Sequence, residues 1–227
     1  MAAYLTADVI SNTNLAGNFY QLICRQDEPL QFIPGQYLIV KINPERVTQY
    51  SIASLPGTNE FELLVDITPD GVSSKYIKSL KPGDQITYLK PMGKFVLKEL
   101  TPQIAFLATG SGIAPFKSMI PFLLDNYPEI LIKLLFGLRH TTDIFYSDFF
   151  SDLTKQYSNF NCHCSISQPD SDWTGLTGHI TKHLDLIGNF SNTSFYLCGS
   201  PNMIDETNEL LLQSGVSDDK IYFEKYW

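Results

Sequence analysis

Near residue 100 the sequence changes rhythm, and that change limits what the chain can become. Up to Glu99 it is written in short runs rich in β-branched and aromatic residues: 4–10, 19–24, 37–42, 49–53, 61–67 and 85–89. Turn signals separate them, among them Pro34-Gly35, Pro56-Gly57, Pro69-Asp70-Gly71 and Pro82-Gly83-Asp84. So many short strands in so little chain predict a six-stranded antiparallel β-barrel over residues 1–99, interrupted by one helical piece at 73–80. From Thr101 onward strands alternate with helices. Strands are expected at 104–108, 131–138, 160–166, 194–198 and 221–224, with helices to Tyr127, at 143–157, near 177–186 and at 202–214. That alternation predicts a second domain over residues 100–227, an open parallel sheet with helices on both faces and a short linker near 97–102. A ligand crevice in such a sheet lies at the carboxyl ends of the strands, where Thr109 to Pro115, Gly137-Leu138-Arg139 and Gly199-Ser200-Pro201 all fall.

Two places in this pattern can hold phosphate. Thr109-Gly110-Ser111-Gly112-Ile113-Ala114-Pro115 stands where a buried strand hands over to a helix. Its glycines permit close backbone approach, and the N–H groups of the following helix point at an anion. In the first half, Gly71 followed by Ser73 and Ser74 opens the helical piece with hydroxyls at its N-terminus. The net charge of −8 disfavours a nucleic-acid partner. No apolar run reaches the roughly 20 residues of a membrane span, and the stretch from Met1 to Asp8 lacks the pattern of a signal peptide, so a cytoplasmic protein is expected. Four scattered cysteines predict reduced thiols rather than a disulfide framework or an iron–sulfur cluster. Cys162-His163-Cys164 with His179 and His183 has the residue types of a zinc site. The simpler reading puts both cysteines on the inner face of a strand, and no metal is expected.

Taken together, Tyr50-Ser51, Gly71-x-x-Ser74, Gly110-Ser111-Gly112-Ile113-Ala114-Pro115, Cys198-Gly199-Ser200-Pro201 and the ending Glu224-x-Tyr226 resemble the ferredoxin–NADP reductase superfamily, in that family's order and over essentially the whole chain. The resemblance implies a FAD-binding barrel followed by a Rossmann-like NAD(P)-binding domain. Tyr50 would lie along the flavin and Ser51 near its N5, with Gly71, Ser73 and Ser74 holding the FAD pyrophosphate at a helix end that carries roughly half a positive charge. Thr109, Gly110, Gly112, Arg139, Gly199 and Pro201 would receive NAD(P)H. Cys198 would sit near nicotinamide C4 and Glu224 near Ser51, while Tyr226 would cover the flavin face as a gate, with Trp227 as a further aromatic plane. The resemblance makes Ser51, Cys198, Glu224 and Tyr226 the catalytic set. One departure stands out: the family's usual Arg two residues before the Tyr is Thr48 here. Arg46 points the same way along the strand and is a candidate for the FAD phosphates, as is Lys75. FMN, which lacks the second phosphate, is the alternative flavin.

By that likeness the chain is a flavin-dependent oxidoreductase. It would take hydride from NAD(P)H and pass electrons to a separate acceptor such as an acidic ferredoxin, a flavodoxin or an oxygenase component. Gln168 and His179 stand where an NADPH enzyme would carry basic groups, which favours NADH. Lys75, Lys78, Lys81, Lys90, Lys94 and Lys98, with Asp84 the only acid among them, could steer an acidic partner or simply guard a barrel edge. The competing readings are a reductase of free flavin or ferric iron, and a non-catalytic interaction or sensing module.

Overall fold

The computed structural model describes residues 4–226. Trp227, expected near the flavin, lies outside them. The described chain forms two compact units, one comprising residues up to Val96 together with Ala114–Met119, the other Leu97–Ile113 and the residues from Ile120 onward.

The first unit contains six strands, β1 (Leu5–Ala16), β2 (Phe19–Arg25), β3 (Tyr37–Asn43), β4 (Arg46–Ser51), β5 (Glu60–Asp66) and β6 (Gln85–Met92), in the order β4-β3-β6-β1-β2-β5. All neighbours are antiparallel. The sheet closes on itself just beyond β4, where Ile52 bridges Leu63 and the Ala53 N–H donates to the Glu62 carbonyl at 2.8 Å. Alternation along the strands turns Val9, Leu22, Cys24, Leu38, Val40, Leu63, Ile86 and Tyr88 into one core. Helix α1 (Val72–Ser79) adds Ile77 to it, and the Asn12 side-chain amide donates to the Ile77 and Leu80 carbonyls at the helix's C-terminal end. Gly35 is required by the fold: its φ is +100°, and a Cβ there would lie 2.1 Å from the Phe95 carbonyl oxygen.

In the second unit six parallel strands, β7 (Gln103–Thr109), β8 (Leu131–Leu138), β9 (Phe160–Ile166), β10 (Leu176–Thr177), β11 (Thr193–Gly199) and β12 (Ile221–Lys225), run in the order β10-β9-β8-β7-β11-β12. Ile104 to Ala108 are fully buried, as a parallel strand covered on both faces requires. Helices α2 (Ala114–Asn126), α3 (Ser147–Gln156) and α4 (Pro201–Gln213) connect the strands.

Three expectations are corrected. β1 continues to Ala16 instead of stopping at Ile10, because residues 11–16 pair with β2 through two register shifts. α3 begins at Ser147 rather than Asp143, since Tyr146 adopts a left-handed φ of 57° and interrupts the helical path. The helix expected near 177–186 is a 3-10 segment, Ile180–Ile187, broken at His183, whose ring bonds back to the Thr177 carbonyl at 3.0 Å. His179 and His183 therefore share no α-helical face. Among the described residues no group of three or more His, Cys, Asp or Glu is arranged to hold a metal, and no helix is long and apolar enough to cross a membrane.

Tyr196 of β11 is fully buried between Phe106 and Tyr222, and its hydroxyl accepts the Lys98 N–H at 2.8 Å. Tyr196→Phe keeps the stack but strands that donor. A loss of about 1–3 kcal/mol in urea unfolding is expected, and an unchanged midpoint would show that the bond contributes nothing.

Candidate functional site

On the barrel unit the site is built from one face of β4 and the start of α1. Arg46, Thr48 and Tyr50 alternate with Val47 and Gln49 and so project to one side. The Arg46 Nε donates to the Ser73 hydroxyl at 3.0 Å, and the Thr48 hydroxyl bonds the same oxygen at 2.7 Å. The Tyr50 hydroxyl shares this network through Thr48 and Ser73. Burial is the main reason it is pushed up to about 12, so it stays protonated. Ser51, at the end of β4, is buried, as are Ser73 and Ser74 in the first turn of α1, whereas Lys75 is exposed. That first turn has no acid, and Gly71 caps it with no side-chain hydrogen bond. Gly71 itself has an ordinary φ of −81°, and a Cβ built on it would meet no protein atom within 4 Å. Neither backbone nor packing asks for glycine there. A helix end with its N–H groups bare, a guanidinium brought to it and an open Cβ position fit a pyrophosphate.

On the sheet unit the carboxyl ends of β7, β11 and β12 are knotted together. Thr109 ends β7, and its hydroxyl accepts the Ser200 N–H at 3.0 Å. Gly110 has a φ of +54°. A Cβ on Gly112 would lie 2.3 Å from the Cys198 carbonyl oxygen, and one on Gly199, whose φ is +139°, only 2.2 Å from the Thr109 hydroxyl. The structure thus gives Gly112 a reason inside the fold, the close passage of the turn over β11, in addition to any approach by a ligand. Pro201 opens α4, with Ser200 capping the Met203 N–H. Cys198 stands opposite Glu224 in the β11–β12 register, and the Tyr226 N–H donates to the Gly199 carbonyl at 2.8 Å. Burial and, after it, the Glu224 carboxylate hold the Cys198 thiol well above its usual range, against the hydrogen bonds from Tyr226 and the Gly199 backbone. Cys198, Glu224 and Tyr226 are therefore brought together, with the thiol kept neutral.

A second cluster lies at the carboxyl ends of β8 and β9. The Arg139 Nε donates to the Gln168 side-chain oxygen at 3.4 Å, and the Gln168 N–H to the Arg139 carbonyl at 2.8 Å. Beside them the Thr141 hydroxyl donates to the Asp170 carboxylate. Thr141 and Asp170 were not among the expected residues. The acid-rich turn Pro169-Asp170-Ser171-Asp172 was the available sign. Lys117 was missed as well, although it is the one charge between Glu99 and Asp125.

Comparison with known proteins agrees with this division. Residues 7–97 match the family described as the oxidoreductase FAD-binding domain, and residues 106–209 the oxidoreductase NAD-binding domain. The chain is 28% identical over 200 residues to the toluate 1,2-dioxygenase electron transfer component of Pseudomonas putida. It is 30% identical over 202 residues to the anthranilate 1,2-dioxygenase electron transfer component of Acinetobacter baylyi. Each alignment takes in 87% of this chain and 59% of the relative, so the chain spans well under two thirds of their length. Among solved structures, a ferredoxin NADP+ reductase from Neisseria gonorrhoeae with bound FAD and NADP superposes with a TM-score of 0.86 at 19% identity, covering 100% of both chains.

The two glycines should respond oppositely to a methyl group. Gly112→Ala drives a Cβ into backbone and is expected to cost at least about 1–3 kcal/mol. Gly71→Ala should stay within about 1 kcal/mol of the parent. Urea unfolding of the ligand-free protein measures both, and equal losses would contradict these assignments.

Proposed function

Because the chain belongs to the ferredoxin–NADP reductase superfamily, we propose that it oxidises NADH and hands the electrons through FAD to a separate acceptor, an acidic ferredoxin or the terminal component of an oxygenase. The observation that carries this reading is the joint of Arg46, Thr48 and Ser73 at the bare start of α1. It supplies what the pyrophosphate of a flavin dinucleotide needs, a positive guanidinium and free N–H groups. Arg46 takes over from the position where Thr48 replaces the family's usual Arg. Tyr50, held neutral, offers a flat face to the flavin, and Ser51 a buried hydroxyl. When bound, FAD accepts a hydride as a pair of electrons and can release them singly.

On the sheet unit, Thr109, Gly110, Gly112, Gly199 and Pro201 form the edge that receives the dinucleotide, with Arg139 toward its adenosine. Cys198 presents an uncharged thiol beside the nicotinamide. Glu224 holds or moves a proton. Tyr226 is hydrogen-bonded to Cys198 and anchored through its N–H, and its phenol is the group that would have to move for a nicotinamide ring to reach the thiol. The cluster at Arg139 supports the reading of NADH as the donor. A 2′-phosphate dianion there would meet one guanidinium already engaged with Gln168, and close by the Asp170 carboxylate, whereas ribose hydroxyls can donate to that carboxylate. Lys75, Lys78, Lys81, Lys90 and Lys94 are all exposed on the barrel unit and supply positive charge for an acidic partner.

Anaerobic titration of the FAD-loaded protein tests the proposal. NADH should bleach the flavin absorbance with kcat/KM at least tenfold above that for NADPH, and Tyr226→Ser should tighten nicotinamide binding by removing the ring that must be displaced. A flavin left oxidised by both nucleotides would refute the reductase assignment, and a preference for NADPH the reading of Asp170.

A further inference from the structure

Lys117 is anomalous. It is the one charge in the first turns of α2 and points into the barrel unit, where its Nζ lies 2.8 Å from the Glu62 carboxylate and 3.2 Å from the Ala53 carbonyl. The two side chains are only 11% and 10% exposed. Two charges so withdrawn from water gain little net stability over a well-packed apolar pair, so their value lies in geometry. Both are tied to one short segment, Ile52–Ser54. Glu62 binds it through its main chain, accepting the Ala53 N–H at 2.8 Å and donating its own N–H to the Ser54 hydroxyl at 3.2 Å, while Ile52 bridges Leu63. Lys117 grips the same segment from the helix side. Ile52–Ser54 directly follows Tyr50-Ser51, and α2 directly follows the Gly110–Ile113 turn.

We infer that Lys117, through its pair with Glu62, is a positioning residue for the hydride step. It holds the Ile52–Ser54 segment, and with it Tyr50 and Ser51, against the first turns of α2, within the barrel unit. The inference rests on the reductase reading above. With FAD and NADH bound, hydride transfer would carry both electrons from one to the other, and the part of Lys117 would be to fix the strand that carries Tyr50 and Ser51. Orientation of this kind governs transfer rates steeply while leaving affinity almost untouched.

Replacing both charges, Lys117→Met with Glu62→Met, tests this without leaving a lone buried ion. In the ligand-free protein, hydrogen–deuterium exchange at the Ala53 amide should quicken at least tenfold while β1 exchanges as before. In the FAD-loaded protein, the rate of flavin reduction at saturating NADH should fall at least tenfold, with NADH Kd within twofold and FAD content unchanged. Lys117→Arg should stay within threefold of the parent rate. Wild-type exchange and reduction rates in the double variant would overturn the inference. So would a slower rate that appears only together with FAD loss or a lowered melting temperature, since that is a merely structural role. An unsubstituted protein that NADH does not reduce would refute the parent reading instead, and the exchange experiment would still report whether the pair pins the segment.

Discussion

A single serine oxygen joins the two elements on which the flavin side of this protein depends. Ser73 stands in the first turn of α1 and receives both the Arg46 guanidinium and the Thr48 hydroxyl from β4. The joint does two things at once. It fixes where the helix starts relative to the strand, and it carries a permanent positive charge to a helix end that already has positive character. Tyr50 belongs to the same network, so the residues proposed for the flavin ring and for its phosphates are set by one strand's alternation. Arg46 and Thr48 share one side of the strand, so the cation reaches Ser73 from two residues further back.

The sheet unit solves a different problem with close backbone contact. Gly112 and Gly199 bring the turn after β7 and the turn after β11 within distances that no side chain would allow. Thr109 then ties the second turn down through the Ser200 N–H. The edge formed in this way is held by the chain's own backbone contacts and by the Thr109–Ser200 hydrogen bond. Cys198, buried beneath it and held neutral, is a small packing group with a polarizable atom, and its raised thiol makes nucleophilic chemistry there unfavourable.

Much of this was legible in the residues. The change from short strands to strand–helix alternation shows in the spacing of apolar side chains, and the shared direction of Arg46 and Thr48 is a consequence of strand geometry alone. Strand order was not legible, because β6 between β3 and β1 is a long-range pairing that no local pattern encodes. Gly112 shows a second limit: a glycine in a sequence does not say whether a ligand or the chain's own backbone needs the space. The contacts Lys117–Glu62 and Thr141–Asp170 join residues far apart in sequence, so their partners could not be read from either end. The 3-10 segment at Ile180–Ile187 was misread as a helix because its apolar spacing is helical. What overrides it is a bend at His183, held by a bond to Thr177.

The central claim is that Arg46 brings its charge to a pyrophosphate, and its most direct measurement compares two flavins on the ligand-free protein. Fluorescence titration with FAD and with riboflavin should show Arg46→Ala weakening FAD binding by roughly ten- to fiftyfold, the size of one or two charge-assisted hydrogen bonds, and leaving riboflavin unchanged. Equal losses for both flavins, or none for either, would contradict it.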